Sequence, residues 1–357
     1  MDHKGRLSRL RQVLNRQKLD SLLITHLPNI RYLCGFTGRS GALLVADSGA
    51  VFFTDGRYSE QADAEVQASK IRIVRKSALA AATQALKTAR LRRIGVEAAR
   101  LTVAERAAVA ATVGTRRLID APPIVEELRE VKDIDEIGRI RAACRLGIEL
   151  FDRLKGVLRP GISEAEVAGE LEFTARKRGV EQMAFPTIIA AGQRSALPHA
   201  RASTAAISPR AFVVCDFGVI LACYCSDMTR TVHVGLPQPK ARRVYNGVRE
   251  AQQAALEAVK PGVIAGEVDR AARNLLKKIG LDKFFTHSTG HGVGLEIHEE
   301  PRVAAGQKKE LKAGMVITIE PGAYLPGEWG VRIEDTVVVT DTGCEVLTAS
   351  SKDLITV

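Results

Sequence analysis

Cysteine is scarce in this sequence: there are six in 357 residues, and none forms a CxxC pair. That excludes a disulfide scaffold and a metal site built on paired thiolates. Cys223 and Cys225, two apart, share one face of a strand, and all six cysteines read as reduced packing residues. Long apolar runs are missing too, for no stretch approaches the roughly 20 residues of a membrane span. Residues 1–16 mix Lys4, Arg6, Arg9 and Arg11 with isolated leucines and hold no apolar core of signal-peptide length. The expected location is therefore cytoplasmic, with no membrane partner. Low-complexity tracts and short repeats are also absent.

What is present resembles ordinary globular protein, with 46% hydrophobic and 26% charged residues. A chain of 357 residues exceeds what one core usually organises, so two domains are expected. Charge separates them. Residues 1–125 carry 21 Lys and Arg against 10 Asp and Glu, whereas residues 126–357 carry 31 of each. The basic half disperses its charge along helices without aromatic interleaving or a dense basic tract, so solvated helix faces are expected rather than a nucleic-acid surface. An alternative is that the excess draws acidic peptides toward a neighbouring site.

Leucines 7, 10 and 14 have helical spacing, and the apolar run 21–25 reads as a buried strand. Residues 41–46 and 51–54, split by Asp47-Ser48-Gly49, form a hairpin signal. A helix over 55–68, a strand over 71–74, a helix over 78–89, a strand over 94–97 and a helix from Thr102 complete an α/β domain. It ends near Pro122-Pro123, read as a linker, which sets the domains at 1–125 and 126–357. The second opens with an amphipathic helix over 133–153. Ser163-Glu164-Ala165-Glu166 then has the form of a capping box and starts another helix. Strands over 187–191, 211–219 and 222–234, helices over 241–259 and 265–279, and short final strands make this half α+β.

Five segments place acids or a histidine in apolar, strand-like surroundings, where an unpaired charge is costly. Asp216 lies in Val213-Val214-Cys215-Asp216-Phe217-Gly218 and Asp227 in Cys225-Ser226-Asp227-Met228-Thr229. A short connection at residues 220–221 makes these an antiparallel hairpin that brings both carboxylates to one place. His291 is flanked by Gly290 and Gly292, which permit close backbone approach. Glu320 ends the strand that begins at Val316, while Arg332 and Glu334 share a strand face from which Asp335 points away. Singly, each is an ordinary edge or loop residue. Together, four carboxylates and one imidazole suit borderline-to-hard divalent ions, Mn²⁺ foremost with Co²⁺ or Zn²⁺ as alternatives. Four carboxylates carry too much charge for one ion, so two are expected.

The order Asp216, Asp227, His291, Glu320, Glu334, in the contexts DFG, SDMTRT, TGHGVGLEIHE, TIEPGAY and VRIEDT, resembles the pita-bread metallopeptidases, specifically the aminopeptidase P and prolidase branch. Residues 30–38 and 53–58 resemble the creatinase-like N-terminal domain of the same enzymes, so the likeness covers nearly the whole chain. The resemblance implies a creatinase-like α/β domain, a mixed sheet with helices, followed by an α+β pita-bread catalytic domain. It implies that the five residues hold two metals, and that Glu320 also takes the proton of the attacking water. His199, in Ser195-Ala196-Leu197-Pro198-His199, and His298, in Glu296-Ile297-His298, match positions that stabilise the tetrahedral intermediate and protonate the leaving nitrogen. Tyr324 and Arg332 match positions that keep Asp216 and the substrate in register. A homodimer is implied as well, with the first domain of one subunit walling the site of the other.

The expected activity is that of an Xaa-Pro aminopeptidase acting on proline-containing peptides; the alternative is an Xaa-Pro dipeptidase, which must recognise the free proline carboxylate. A non-enzymatic scaffold is the remoter alternative, and the intact ligand set opposes it, as it opposes metal-free creatinase chemistry. Methionine aminopeptidases share the ligands but usually lack the first domain.

Overall fold

The structure, a computed structural model, describes residues 1–89 and 91–357. It separates into two compact units, Met1–Arg129 and Glu130–Val357. The division falls four residues beyond the expected 125/126 boundary. Pro122 and Pro123 do not form a linker but lead directly into the helix Ile124–Arg129, whose Glu127 N–H donates to the Pro123 carbonyl (2.9 Å). That helix is tied to the first unit: Asn29 Nδ2 donates to Glu126 Oε1 (3.0 Å), and Arg129 donates to Asn29 Oδ1 (2.7 Å).

The first unit is built on a six-stranded sheet in the order Lys70–Val74, Gly49–Asp55, Ala42–Ala46, Ser21–Ile24, Ile94–Glu97, Leu118–Ala121. Ala42–Ala46 runs antiparallel to both neighbours and the other pairings are parallel, giving the mixed sheet expected. Leu23, Phe53, Leu86, Val96 and Val109 form its core, each contributing about 1.5–3 kcal/mol through burial. Two local expectations need correction. The helix expected over 55–68 is a 3₁₀ turn, Gly56–Tyr58, followed by the short helix Ser59–Glu65. Leu27–Cys34, not anticipated as helical, forms a helix with proline in its first turn and closes at Gly35, whose φ of +88° needs glycine.

In the second unit two helix pairs back short sheets. Ile134–Lys155 and Glu164–Lys177, both started by capping boxes (Asp133 with Glu136, Ser163 with Glu166), pack on the sheet Met228–His233, Phe212–Phe217, Ile188–Ala191. Pro239–Ala258 and Ala265–Lys278 pack on the five-stranded sheet Glu299–Val303, Gly290–Gly292, Val316–Ile319, Asp335–Val339, Cys344–Val346. The hairpin Gly322–Leu325 and Trp329–Arg332 joins the same core. No helix among the described residues is long and apolar enough to cross a membrane.

Two expected strands are interrupted where chemistry sits. The runs 211–219 and 222–234 break at Gly218 and Ser226; a Cβ on Gly218 would lie 2.0 Å from the Ser226 carbonyl oxygen. Beyond that close approach, Val219–Leu221 and Tyr224–Cys225 pair in a separate small sheet. Likewise Arg332 ends one strand and Asp335 begins another, because the first pairs with Gly322–Leu325 and the second with Val316–Ile319. Glu334 therefore occupies the irregular junction rather than a shared strand face with Arg332.

Candidate metal centre

Asp216, near the end of Phe212–Phe217, stands in register with Thr229 on Met228–His233, and Asp227 immediately precedes that second strand. The hairpin thus carries both carboxylates to one end. Glu334 arrives from the facing junction: its backbone N–H donates to the Thr229 carbonyl (3.1 Å), and its Oε2 accepts the Thr229 hydroxyl (2.7 Å). His291 and Glu320 come from neighbouring strand ends, with the Glu320 N–H donating to the Thr289 carbonyl at 2.7 Å. Gly290 makes this possible, since a Cβ there would fall 1.8 Å from the Thr318 carbonyl oxygen.

The side chains converge. His291 Nε2 is 3.6 Å from Asp227 Oδ2 and 3.5 Å from Glu320 Oε1. Asp227, His291 and Glu334 each offer a donor atom, and these atoms lie within 4.8 Å of one another. His291 Nδ1 sits 3.0 Å from the Gly292 carbonyl, which assigns the proton to Nδ1 and leaves the Nε2 lone pair facing the carboxylates. Asp216 is held by one oxygen in a buried ion pair with Arg332. Its other oxygen, and Oδ1 of Asp227, are buried and accept no hydrogen bond.

Charge is out of balance here. Burial, joined by repulsion from the neighbouring carboxylates, pushes Asp227 and Glu334 well above the ordinary range. Burial also raises Glu320 to about 7, and His291 falls to about 4, through burial and the charge of His298. Among the described residues, Arg332 is the one arginine or lysine whose side chain pairs with a carboxylate of this cluster. Crowded, dehydrated carboxylates with vacant oxygens and a neutral imidazole lone pair are what a hard or borderline divalent cation requires, so the donor set fits such ions.

Around this cluster lies a supporting layer. Arg332 donates to the Tyr324 oxygen (2.6 Å), to the Thr229 hydroxyl (3.2 Å) and to the Pro198 carbonyl (3.1 Å). His287 Nδ1 faces the Ser288 carbonyl (2.8 Å), so its Nε2 accepts the Tyr324 hydroxyl proton at 2.8 Å. Burial, with the charge of Arg332, holds His287 down at about 4, and burial raises Tyr324 to about 12. His298 packs edge-on to His291 with ring centroids 4.3 Å apart, and it is close enough to His199 to feel its charge. Both His199 and His298 are exposed on one side.

Glu164 anchors the loop that carries His199: it accepts from the Ala191 N–H, from Arg194 and from both the N–H and hydroxyl of Ser203. His287, Thr229 and Glu164 had no role in the sequence reading. Thr229 was within reach of it, since it lies two residues after Asp227 and strand alternation puts both on one face. His287 and Glu164 become visible only through contacts with distant segments.

Residues 6–131 match the creatinase/prolidase N-terminal domain, and residues 138–341 match metallopeptidase family M24. The chain is 37% identical to an Xaa-Pro dipeptidase of Pyrococcus furiosus, covering 99% of this chain and 100% of that protein. Among solved structures, an Xaa-Pro dipeptidase from Bacillus anthracis is 38% identical and superposes with a TM-score of 0.96, covering 99% of this chain and 100% of that one. An X-Pro aminopeptidase from Thermotoga maritima is 34% identical with a TM-score of 0.90, covering 98% and 100%. With its creatinase-like first domain and pita-bread second domain, the chain belongs to metallopeptidase family M24 and is a peptidase.

Proposed function

We propose that this enzyme hydrolyses Xaa-Pro dipeptides, with Asp216, Asp227, His291, Glu320 and Glu334 holding two divalent cations, Mn²⁺ foremost. The observation that carries the reading is the buried excess of carboxylate charge, with two carboxylate oxygens left without partners. Cations bound there would supply Lewis acidity and lower the pKa of water toward neutrality, so that it loses its proton readily. Glu320 takes the proton as the water oxygen adds to the carbonyl carbon. His199 and His298 donate to the oxygen that gains negative charge and to the proline nitrogen as the C–N bond breaks. Arg332, braced by Tyr324, keeps Asp216 in place. An Xaa-Pro bond is a tertiary amide without an N–H, so a dedicated site must protonate its nitrogen.

The aminopeptidase was the first expectation from sequence, and the dipeptidase is preferred here because the relatives named as Xaa-Pro dipeptidases match over the full chain at 37–38% identity. The Thermotoga relative supports the aminopeptidase as the second reading. The Mn²⁺-loaded enzyme, given an Xaa-Pro dipeptide, an Xaa-Pro-Xaa tripeptide and a proline-free control, separates the two. Cleavage of the dipeptide alone supports the proposal, release from the tripeptide selects the aminopeptidase, and no cleavage of either by metal-loaded protein refutes both. A cytoplasmic homodimer remains part of this reading; light scattering showing a fully active monomer would remove the dimer from it.

A further inference from the structure

Asp335, next to Glu334 in sequence, is completely buried and belongs to a different cluster. Its Oδ1 accepts from Arg230 (2.7 Å) and the Thr348 hydroxyl (3.0 Å), and its Oδ2 accepts from Gln252 (2.9 Å) and Lys352 (2.9 Å). Every acceptor position of the carboxylate is thereby filled. Arg230, 1% exposed, is equally saturated. Its Nε donates to the Ser350 hydroxyl (3.1 Å), and its second terminal nitrogen donates to Asp335 and to the Thr348 carbonyl (2.9 Å). The remaining nitrogen donates to two backbone carbonyls, those of Thr229 (3.0 Å) and Glu334. Lys352 closes the cluster through Gln252 Oε1 at 2.9 Å.

Those two carbonyls matter because they belong to the residues whose mutual geometry builds the centre. Thr229 lies two residues after Asp227, and its hydroxyl is bound to the Glu334 carboxylate. One guanidinium nitrogen bridging both carbonyls fixes the separation of the two segments from behind, and the cluster carries two cations for one carboxylate. It also draws in residues 348–352, whose chain continues by pairing with His233 on the strand that follows Asp227.

We propose that Arg230, locked by Asp335 and the segment 348–352, is a positioning residue that sets the spacing of Asp227 and Glu334 and so the affinity of the centre for its cations. The inference rests on the metal-binding role proposed above. A lysine at position 230 keeps the charge but cannot span two carbonyls, a carboxylate and a hydroxyl at once. The test is titration of Mn²⁺ into chelator-stripped wild-type chain, R230K and K352M, followed by calorimetry and by electron paramagnetic resonance of the bound ion. Denaturation of the metal-free forms runs alongside.

R230K should weaken Mn²⁺ binding by about 10–100-fold, the usual cost of disturbing groups behind metal ligands, and broaden the resonance. K352M should do the same by a smaller factor. A purely structural role would lower the unfolding midpoint while leaving affinity and spectrum at wild-type values, and that result in folded R230K overturns the proposal. Should R230K not fold, K352M decides on the same readouts, because Lys352 is partly exposed and its loss is milder. If wild type binds Mn²⁺ and the variants match it, this inference alone fails. If wild type takes up no Mn²⁺, both it and the underlying reading of the centre fall.

Discussion

Glu334 and Asp335 are adjacent in sequence, equally buried, and electrostatically opposite. Around Glu334, burial and the charges of Glu320 and Asp216 push the carboxyl well above its ordinary range. Around Asp335 burial pushes the same way, but Arg230 and Lys352 outweigh it and hold the carboxyl below its ordinary value. A strand junction that turns one side chain to each side places them in two environments. The second supplies its own counter-charges, and the first does not. Burial alone therefore does not identify a functional acid; an unfilled set of acceptors does.

Substitutions at the two positions can break that contrast. The largest effect is expected for Glu334→Ala or Asp227→Ala, which should lower metal occupancy in elemental analysis and reduce turnover by more than about a thousand-fold. Near-normal rates in either would contradict the assignment. Asp335→Asn removes no proposed metal ligand and should destabilise the fold by about 3 kcal/mol in urea denaturation, as expected when one partner of a buried pair is removed. His298→Ala should keep its metal while losing about a hundred-fold in kcat, the scale of one proton-transfer group.

Acid sharpens the picture. A histidine whose folded pKa is about 4 against an ordinary 6.5 contributes nothing above pH 6.5 and costs stability as pH falls from 6.5 toward 4. Wild type should therefore lose more of its urea midpoint over that window than His287→Gln, by up to roughly 3 kcal/mol. Smallest, and opposite in sign to Asp335→Asn, is Glu334→Gln in chelator-stripped protein. A carboxyl with a raised folded pKa costs stability above its ordinary pKa, so neutralising it should stabilise the metal-free fold at pH 8 by on the order of 1 kcal/mol. A destabilised Glu334→Gln protein would mean that the crowding is illusory.

The sequence displayed what depends on near neighbours in the chain. Alternation and capping patterns located the strand of Asp216 and the helices begun by Asp133 and Ser163, and the five acid and histidine contexts pointed to one site. What it concealed depends on contacts between segments that are not neighbours in the chain. Nothing local says that the run from Val331 to Thr336 must change partners at Ile333 and Glu334, because that break is imposed by two different neighbouring strands. Nor does proline pairing distinguish a linker from a helix start until the helix finds Asn29 to bind. Asp335 was expected to point away from Glu334, and it does, but its four donors come from residues 230, 252, 348 and 352.

The hydrogen bonds through Tyr324 run in one direction only. The Ser288 carbonyl fixes the tautomer of His287, that tautomer orients the phenol proton, and the phenol oxygen is left to receive Arg332. Protonating His287 would confront the phenol with a donor on each side and turn its own hydrogen outward. Acid would then disarm the centre by scrambling the polarity of the row behind it, and Arg332 would lose its settled partner in the phenol.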